Sequence, residues 1–338
     1  MNKNLKRLLA GTGIIAGTVA TAGIISYKIT KKLVSIALDR SEEETVIDHD
    51  NGKEPESPEM RHFRMERERA AEELEKKGCE EVEIVAYGGI NLVGHWWECD
   101  GAERVIIAMH GWRSSWSRDF GLIADFFHQN KCHVLFAEQR GQNNSGGEYM
   151  GFGLTERYDC LEWIKWVNRQ EIEGLPIYLC GISMGASTVL MTAGFELPSN
   201  VCGIIADCGY TSPHAIWKHV VEKGLNLRYD TMISAIAEDI CRSKIQVGPK
   251  DYSCINAMKT CKVPVLFIHG TDDDFVPVEM TYENYKACAA EKRLLIVPGA
   301  GHGMSYILDK KGYEKAVLEF WRDFGRKTSE NQEADGCE

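Results

Sequence analysis

The pattern of hydrophobic and polar positions changes near residue 80. From there, short apolar runs typical of buried strands alternate with segments whose apolar residues follow helical spacing. Two runs joined by Gly88-Gly89 predict a β-hairpin at 81–99. Six further strand-like runs lie at 104–111, 132–141, 176–183, 201–209, 263–270 and 293–301. This alternation predicts an α/β fold, in which helices cover both faces of a mostly parallel sheet.

One long segment interrupts the alternation. Residues 211–262 lie between two strand-like runs and contain two helical patterns, at 214–226 and 230–243. Parallel sheets of this kind bind ligands at the carboxyl ends of their strands. An insertion of that length above the strand ends predicts a helical lid, which either lines a substrate pocket or packs onto the main domain.

The N-terminus carries an uncharged run with basic flanks. Residues 8–27 contain no charged side chain, and about twenty such residues suffice to span a bilayer as a helix. We therefore expect a single-pass membrane anchor at residues 1–32. A cleaved signal peptide ending near 20–22 and a buried helix of the globular domain are the alternatives. Basic residues on both sides leave the orientation of the anchor open.

The remaining boundaries follow from changes in composition. Residues 33–59 are acidic and contain prolines, which predicts a linker with little to bury. A charged helical pattern then opens the main domain, expected over residues 60–326 with its lid at about 211–262. Residues 327–338 form a polar tail.

Charge and cysteine content limit the classes of protein that the chain can belong to. The net charge of −11 argues against nucleic acid as a partner, because nucleic-acid-binding domains usually present a basic face. The twelve cysteines include no C-x-x-C pair, so neither a zinc site nor a thioredoxin-like motif is indicated. Reduced, structural cysteines are favoured over a disulfide framework, and they favour a cytoplasmic catalytic domain on the anchor, with secretion as the alternative.

A glycine-serine motif provides the first candidate chemistry. Gly181-Ile182-Ser183-Met184-Gly185 has the form G-x-S-x-G, with a strand-like run before it and a helical pattern after it. This is the context of a nucleophile elbow, in which a tight turn lifts the serine above the sheet edge. A glycine-rich helix start without catalysis is the alternative.

A serine hydroxyl is a poor nucleophile until a base removes its proton. His302, in the sequence GAGHGM, follows the last strand-like run and precedes the final helical pattern. A loop at that strand end would hold the imidazole above the sheet edge near Ser183. His302 is therefore the candidate base, although a loop histidine without that role is the alternative.

The third partner must orient the imidazole, and in this architecture it falls between the serine and the histidine in the chain. Asp272, Asp273 and Asp274 directly follow a strand-like run. Three adjacent carboxylates cannot all face one imidazole, so at least one is expected in a solvated turn or a helix cap. Asp207, after the preceding strand-like run, is the substitute.

Two backbone N–H groups are expected to form the oxyanion hole. One belongs to Met184, directly after the serine, and the other to Trp112 in the loop after the 104–111 run. His110 in the same loop is expected to brace it by hydrogen bonding rather than to act as a base.

Four motifs together carry a family resemblance: HGW at 110–112, GISMG at 181–185, HGTDDDFVP at 269–277 and GAGH at 299–302. With these motifs in this order, the chain resembles the α/β-hydrolase superfamily over roughly residues 80–326. The closest likeness is to its bacterial serine-aminopeptidase-like, monoacylglycerol-lipase-like and feruloyl-esterase-like members, several of which carry an N-terminal anchor.

The resemblance also narrows the candidate acid. Relatives place it in a segment of the form H-G-x-x-D-x-x-V-P, and that pattern selects Asp273. One departure is visible, because relatives often show D-x-R-G-x-G-x-S where this chain reads EQRGQNNS: Glu138 replaces Asp and Asn143 stands where Gly is common. The departure weakens the subfamily assignment more than the catalytic one.

The leading hypothesis is therefore a serine hydrolase, of carboxylesterase or lipase type, that cleaves a carboxylic ester through an acyl-enzyme. Ser183 would attack, His302 would act as base, Asp273 would hold the imidazole, and the Met184 and Trp112 N–H groups would bind the oxyanion. This chemistry needs no metal and no organic cofactor.

Two other hypotheses stay open. Peptide, amide or thioester hydrolysis would use the same residues, and an aminopeptidase would also need an acidic group near the pocket, such as Glu222 or Glu238. A membrane-tethered binding protein that has lost activity would use the fold alone.

Overall fold

Hydrogen bonding between strands defines one continuous sheet. The computed structural model describes residues 23–40, 58–170, 172 and 174–325, and within them eight strands pair in the order β1-β2-β4-β3-β5-β6-β7-β8. The strands are β1 (Glu80–Ala86), β2 (Ile90–Trp97), β3 (Arg104–Met109), β4 (Cys132–Ala137), β5 (Ile177–Ile182), β6 (Val201–Asp207), β7 (Val265–Gly270) and β8 (Lys292–Val297). β2 is antiparallel to both β1 and β4, and the remaining pairs are parallel.

Helices join the strands and cover the sheet. The described part of α1 covers residues 23–38, and the later helices are α2 (Pro58–Glu75), α3 (Trp116–Gln129), α4 (Glu156–Val167), α5 (Met184–Thr192), α6 (Pro213–His219), α7 (Thr231–Ile245), α8 (Cys254–Met258), α9 (Val278–Ala287), α10 (Ser305–Leu308) and α11 (Lys310–Phe324). A π-helical turn, Val220–Gly224, extends α6. The predicted α/β architecture is confirmed, and a helical insertion lies between β6 and β7.

The two sides of the sheet bury separate apolar layers. Along β3, Val105, Ile107 and Met109 belong to one layer, and Ile106 and Ala108 belong to the other. This division follows from the strand repeat, because successive side chains point to opposite faces. The first layer includes side chains of α1, α4, α5 and α8, and the second includes those of α3 and α11. Both faces are buried, which explains why the central strands are apolar at nearly every position.

The predicted localisation requires a correction. Among the residues that the structure describes, no helix is both long enough and apolar enough to span a bilayer. Residues 1–22 of the predicted 1–32 anchor lie outside the described residues. The remainder belongs to α1, which contains Lys28, Lys31 and Lys32 and is therefore not an apolar span. The prediction of a membrane localisation through a single-pass anchor is wrong, and membrane tethering is not supported.

The C-terminal half of α1 packs against the domain instead. Thr30, Val34, Ile36 and Leu38 are buried there. Residues 33–38, at the start of the predicted linker, are thus part of a packed helix. Residues 41–57 of that linker and the tail beyond residue 325 lie outside the described residues.

Candidate active site

Ser183 occupies the sharp turn between β5 and α5. Its backbone φ is 56°, a left-handed value that is rare for a residue with a side chain. The Ser183 N–H donates to the backbone oxygen of Asp207 at the end of β6 (2.9 Å). The backbone oxygen of Ser183 accepts from the Ser187 N–H (3.0 Å). Hydrogen bonds from the neighbouring strand and from the following helix therefore hold the turn. A strained backbone conformation persists only where the surrounding structure fixes it in this way.

The two glycines of the motif are required by close backbone packing. A Cβ atom at Gly181 would lie 2.3 Å from the backbone carbonyl carbon of Gly185. A Cβ atom at Gly185 would lie 1.8 Å from the backbone oxygen of Met109, the last residue of β3. No side chain fits at either distance, so the first turn of α5 rests directly on the end of β3. The spacing of the motif thus reflects two points of main-chain contact around the serine.

His302 reaches Ser183 from the loop after β8. Its Nε2 lies 2.9 Å from the Ser183 Oγ. The loop is bound to the end of β7, because the Asp272 N–H donates to the Ala300 oxygen (3.0 Å) and the Gly299 N–H donates to the Thr271 hydroxyl (2.8 Å). The imidazole therefore has a fixed position relative to the serine even though it stands on a loop.

Of the three adjacent aspartates, Asp273 is the one placed against His302. Its Oδ2 lies 2.7 Å from the His302 Nδ1, and its carboxylate is fully buried while the His302 side chain is 24% exposed. Asp272 and Asp274 are exposed. Asp272 accepts a hydrogen bond from the Thr271 hydroxyl, and the Asp274 backbone oxygen lies 3.2 Å from the His219 Nε2. The structure thus brings together Ser183, His302 and Asp273 in one hydrogen-bonded series.

The Asp273 carboxylate is surrounded by donors. Its Oδ1 accepts from the N–H groups of Phe275 (3.0 Å) and Val276 (2.8 Å). Its Oδ2 is shared between His302 and a second histidine, His269, whose Nε2 lies 3.1 Å away. Burial alone would raise the pKa of Asp273, but the charge of His302 and the hydrogen bonds from both histidines outweigh burial and hold the pKa well below its usual range. The carboxylate is therefore ionised at neutral pH.

His269 is a residue of this site that sequence reasoning missed. It is completely buried at the end of β7, where its Nδ1 lies 2.6 Å from the Thr281 hydroxyl and its Nε2 lies 2.8 Å from the Val276 oxygen. Because both neighbours of Nε2 are acceptors, we assign the proton to Nε2 and the acceptor role to Nδ1. His269 is the first residue of the HGTDDDFVP motif, so the sequence did contain a signal for it. The orientation of its imidazole, however, depends on Thr281 in the next helix, α9.

The substitute acid, Asp207, has a different environment. It is buried at the end of β6, where its Oδ1 accepts from the Ser305 hydroxyl (3.2 Å). Burial raises the pKa of Asp207 to about 6, against the smaller opposing effects of the nearby histidines and of hydrogen bonding. The carboxylate that bonds to the His302 imidazole is thus that of Asp273 and not that of Asp207.

The predicted oxyanion donors belong to residues close to the serine turn. Met184 is the first residue of α5, and Trp112 follows Gly111, where an added Cβ atom would lie 3.4 Å from the Ser183 Cβ. Neither N–H group is paired within the described part of the chain. Both amides are therefore free of backbone partners there, which is what a donor to an oxyanion requires.

Buried polar groups fix the loop that carries Trp112. The Gly111 N–H donates to the Asp119 carboxylate in the first turn of α3 (2.6 Å). The His110 imidazole is buried, with Nδ1 2.8 Å from the Gly111 oxygen and Nε2 accepting from the Gln139 N–H (3.1 Å). His110 thus braces the loop, as the sequence predicts. Asp119 was missed, because nothing in the sequence pairs it with Gly111.

The segment that departs from the family pattern supports these loops. The Glu138 carboxylate is buried, lies 2.9 Å from the His95 Nε2 and accepts from the Asn144 N–H (2.6 Å). Asn143 donates to the Ser114 oxygen (2.9 Å) in the loop beyond Trp112. The longer Glu side chain therefore still finds partners in this segment, and Asn143 ties the segment to the Trp112 loop.

A third ligand-type side chain, Cys208, lies beside the series. Its Sγ and one atom each from Asp273 and His302 all lie within 4.8 Å of one another, the kind of cluster that could hold a metal ion. Burial, together with the charges of Asp207 and Asp273, raises the pKa of the Cys208 thiol well above its ordinary value. Since the thiolate is the form that binds metals and attacks carbonyls, this thiol suits neither role.

An apolar cavity begins next to the series. Its volume is about 70 Å³, and Phe275 and Trp112 line it on the side of the site. The Phe275 ring meets the His302 imidazole edge-on, with 5.0 Å between the ring centroids. α1 and the helical insertion line the rest of the cavity, with Thr30, Leu33, Val34, Ile36, Ala37, Phe152, Ile216, Trp217, Val220, Val221, Leu225, Tyr229, Ile233 and Ala237.

Comparison with known proteins agrees with this architecture. Residues 100–239 match the family model of the serine aminopeptidases, S33. An esterase from Pyrococcus furiosus, Pf2001, superposes with a TM-score of 0.61 at 21% identity, covering 74% of this chain and 92% of the esterase. Est1E from Butyrivibrio proteoclasticus, solved with ferulic acid bound, gives a TM-score of 0.58 at 18% identity, covering 73% and 100%.

Sequence relatives cover part of the chain. Protein YqkD of Bacillus subtilis is 30% identical over 192 residues, which are 56% of this chain and 61% of YqkD. Protein YfhR of Escherichia coli is 23% identical over 251 residues, which are 71% of this chain and 80% of YfhR. The chain thus has the α/β-hydrolase fold, and the resemblance to that superfamily is confirmed.

Proposed function

We propose that the protein is a serine hydrolase that cleaves a carboxylic ester through an acyl-enzyme intermediate. The observation that carries this proposal is the hydrogen-bonded series from Ser183 through His302 to Asp273, with its members 2.9 Å and 2.7 Å apart. A nucleophile bonded to a base that is itself oriented by a third group is the arrangement expected for covalent catalysis of acyl transfer.

In the first half of the reaction, the Ser183 Oγ forms a bond to the ester carbonyl carbon while its proton passes to the His302 Nε2. The carbonyl oxygen becomes an oxyanion, and the N–H groups of Met184 and Trp112 stabilise it by donating hydrogen bonds. Collapse of this intermediate breaks the bond to the alcohol oxygen, which takes the proton from the His302 Nε2. The alcohol leaves and the acyl group stays on Ser183.

In the second half, water attacks the acyl-enzyme. The His302 Nε2 removes a proton from water as the oxygen bonds to the carbonyl carbon, and returns it to the Ser183 Oγ when the acid departs. Ionised Asp273 stabilises the imidazolium in both halves, because its Oδ2 faces the Nδ1–H. His269 and the N–H groups of Phe275 and Val276 keep that carboxylate charged and in place.

Ester hydrolysis is favoured over aminopeptidase activity by the lining of the cavity. Among the described residues, no carboxylate side chain lines it, whereas an aminopeptidase needs an acidic group to hold the substrate's amino terminus. Of the two predicted candidates, Glu238 is instead paired with Arg242 (2.7 Å). The match to the serine aminopeptidase family model keeps peptide hydrolysis as the second candidate.

The test uses the purified full-length protein with p-nitrophenyl esters and a fluorophosphonate probe. We expect Ser183→Ala to abolish both ester turnover and covalent labelling, because the nucleophile is lost. Ser243→Ala is the matched control, since that hydroxyl bonds the Ile240 oxygen within α7. Unchanged labelling of Ser183→Ala would refute the assignment, and folded wild type without labelling would indicate a binding protein. Faster turnover of aminoacyl amides than of esters would favour the peptidase.

A further inference from the structure

The apolar cavity, the contacts of α1 and the Trp112 loop together bear on substrate choice. We propose that α1 is the wall of a pocket for a short aliphatic acyl group, and that Leu33 and Ala37 on that helix set the acyl length. This inference rests on the proposed esterase function and deepens it.

The position of the cavity argues for the acyl part of the substrate. Its lining includes Phe275, which contacts the His302 imidazole, and Trp112, whose N–H is the proposed oxyanion donor. Ser183, His302 and Asp273 are not among the residues that line the cavity, so a group in it approaches the reacting carbonyl past Phe275 and Trp112. The alcohol must leave before water attacks, so it needs the open side, where His302 is 24% exposed. The acyl group stays through both halves of the reaction, and an apolar cavity suits it.

The size of the cavity limits the chain length. An engineered apolar cavity of about 150 Å³ accommodates benzene, which has six carbon atoms. The cavity beside His302 has a volume of about 70 Å³. By proportion it accommodates about three methylene or methyl groups. The expected acyl group is therefore close to butyryl, with its carbonyl outside the cavity at Ser183.

The end of α1 nearest the site is held firmly. The Arg113 guanidinium donates to the backbone oxygens of Ile36 and Asp39 (2.8 Å each), and the Trp112 indole N–H donates to the Ala37 oxygen (2.9 Å). Carbonyls at a helix C-terminus carry partial negative charge, so a cation is a favourable partner there. α1 is thus attached to the same loop that carries the proposed oxyanion donor.

A second attachment lies on the helical insertion. The Lys244 ammonium in α7 contacts both carboxylate oxygens of Asp39, at 2.6 and 2.8 Å, and the pair is largely shielded from solvent. The other end of the described helix is exposed, and Ile29 there is 44% accessible. The part of α1 that lines the cavity is therefore a fixed wall, which is what a length limit requires.

The experiment compares kcat/KM for p-nitrophenyl acetate, butyrate and octanoate in full-length variants. Each buried methylene contributes about 0.8 kcal/mol, so wild type should prefer butyrate to acetate by roughly tenfold and should be slower on octanoate. Leu33→Ala enlarges the cavity and should raise the octanoate-to-butyrate ratio by about tenfold. Ala37→Leu fills it and should lower the butyrate-to-acetate ratio. Ile29→Ala, on the exposed end of the same helix, should change neither ratio.

The two cavity variants act in opposite directions, so either one decides the question if the other does not fold. Ratios that stay at the wild-type values in a folded variant would overturn the inference, provided the fluorophosphonate labels the protein. The inference would also be overturned if the cavity variants changed the dependence of kcat/KM on alcohol length, measured with ethyl, butyl and octyl acetates, and left its dependence on acyl length unchanged. A folded wild type that is neither labelled nor active would instead refute the proposed function.

Discussion

The ends of β6 and β7 each present a buried aspartate to the same site, yet the pKa values of the two carboxylates are shifted in opposite directions. Asp273, after β7, receives hydrogen bonds from two imidazoles and two backbone N–H groups, and its pKa is held low. Asp207, at the end of β6, accepts from the Ser305 hydroxyl, and burial raises its pKa to about 6. Both are almost inaccessible to water. Burial therefore does not decide which carboxylate supports the histidine; the charge of His302 and the hydrogen-bond donors around the carboxylate do.

The largest expected effect separates the two aspartates by activity. Asp273→Asn should lower kcat for p-nitrophenyl butyrate by about 10³–10⁴-fold, because the amide cannot stabilise the imidazolium or hold the required tautomer. Asp207→Asn is the matched control at the neighbouring strand end, and its kcat for the same ester should fall far less. Losses of equal size in the two variants would contradict the comparison.

The next effect tests whether His269 positions Asp273. Removing the Nε2–H in His269→Phe deletes one hydrogen bond to a charged group, worth about 1.5–3 kcal/mol, so kcat should fall by roughly 10–100-fold. The acid limb of the kcat/KM profile should move to lower pH, because a less firmly held carboxylate stabilises protonated His302 less.

The conservative variant His269→Gln keeps a donor in the same region and should recover part of the loss. A purely structural role for His269 would lower the melting temperature and leave the acid limb where it is in the wild type. That outcome would show that the hydrogen bond from His269 does not contribute to the difference between Asp273, after β7, and Asp207, at the end of β6.

The smallest effect concerns stability, and its sign differs between the two sites. The folded-state pKa of Asp207, about 6, lies above the ordinary value of 3.8. The folded protein thus keeps a proton that the unfolded chain has released, and ionisation of Asp207 opposes folding above about pH 6 but not below about pH 4. Asp207→Asn should raise the free energy of unfolding by about 1–3 kcal/mol at pH 8 and by progressively less towards pH 4.

Asp273 should behave in the opposite way. Its lowered pKa contributes stability that is present above about pH 4 and is lost as the pH falls further. Asp273→Asn should therefore be less stable than wild type at pH 8, with the difference shrinking in acid. Urea unfolding of the variants at several pH values measures both signs, and the same sign at both sites would refute this account.

The elements that the sequence predicted well are those with a local signal. Short apolar runs between helical patterns identified the strands of the sheet. Glycines two residues on either side of Ser183 identified the elbow, because its geometry depends on neighbouring residues in the sequence. Position directly after a strand limited the acid to a few aspartates, and the family pattern then selected Asp273, which the structure places against His302.

What the sequence did not predict depends on contacts between distant segments. The orientation of His269 depends on Thr281, twelve residues away, and the role of Asp119 depends on the Gly111 loop. The prediction for the N-terminal segment was wrong for a related reason. Composition placed the boundary between anchor and linker after residue 32, whereas one helix covers residues 23–38 and its buried side chains lie at positions 30–38, where they contact distant parts of the chain.

The contact of Gly185 with the Met109 oxygen has a consequence for how this protein can diversify. Because α5 rests on β3 main chain to main chain, no side chain separates the start of α5 from the end of the strand that leads into the Trp112 loop. Substitutions of the cavity-lining side chains of α1 or of the helical insertion can therefore reshape the apolar cavity while the contact between α5 and β3 is kept. Under the proposed function, selectivity for new substrates can therefore be acquired through these two segments without a change at the serine turn.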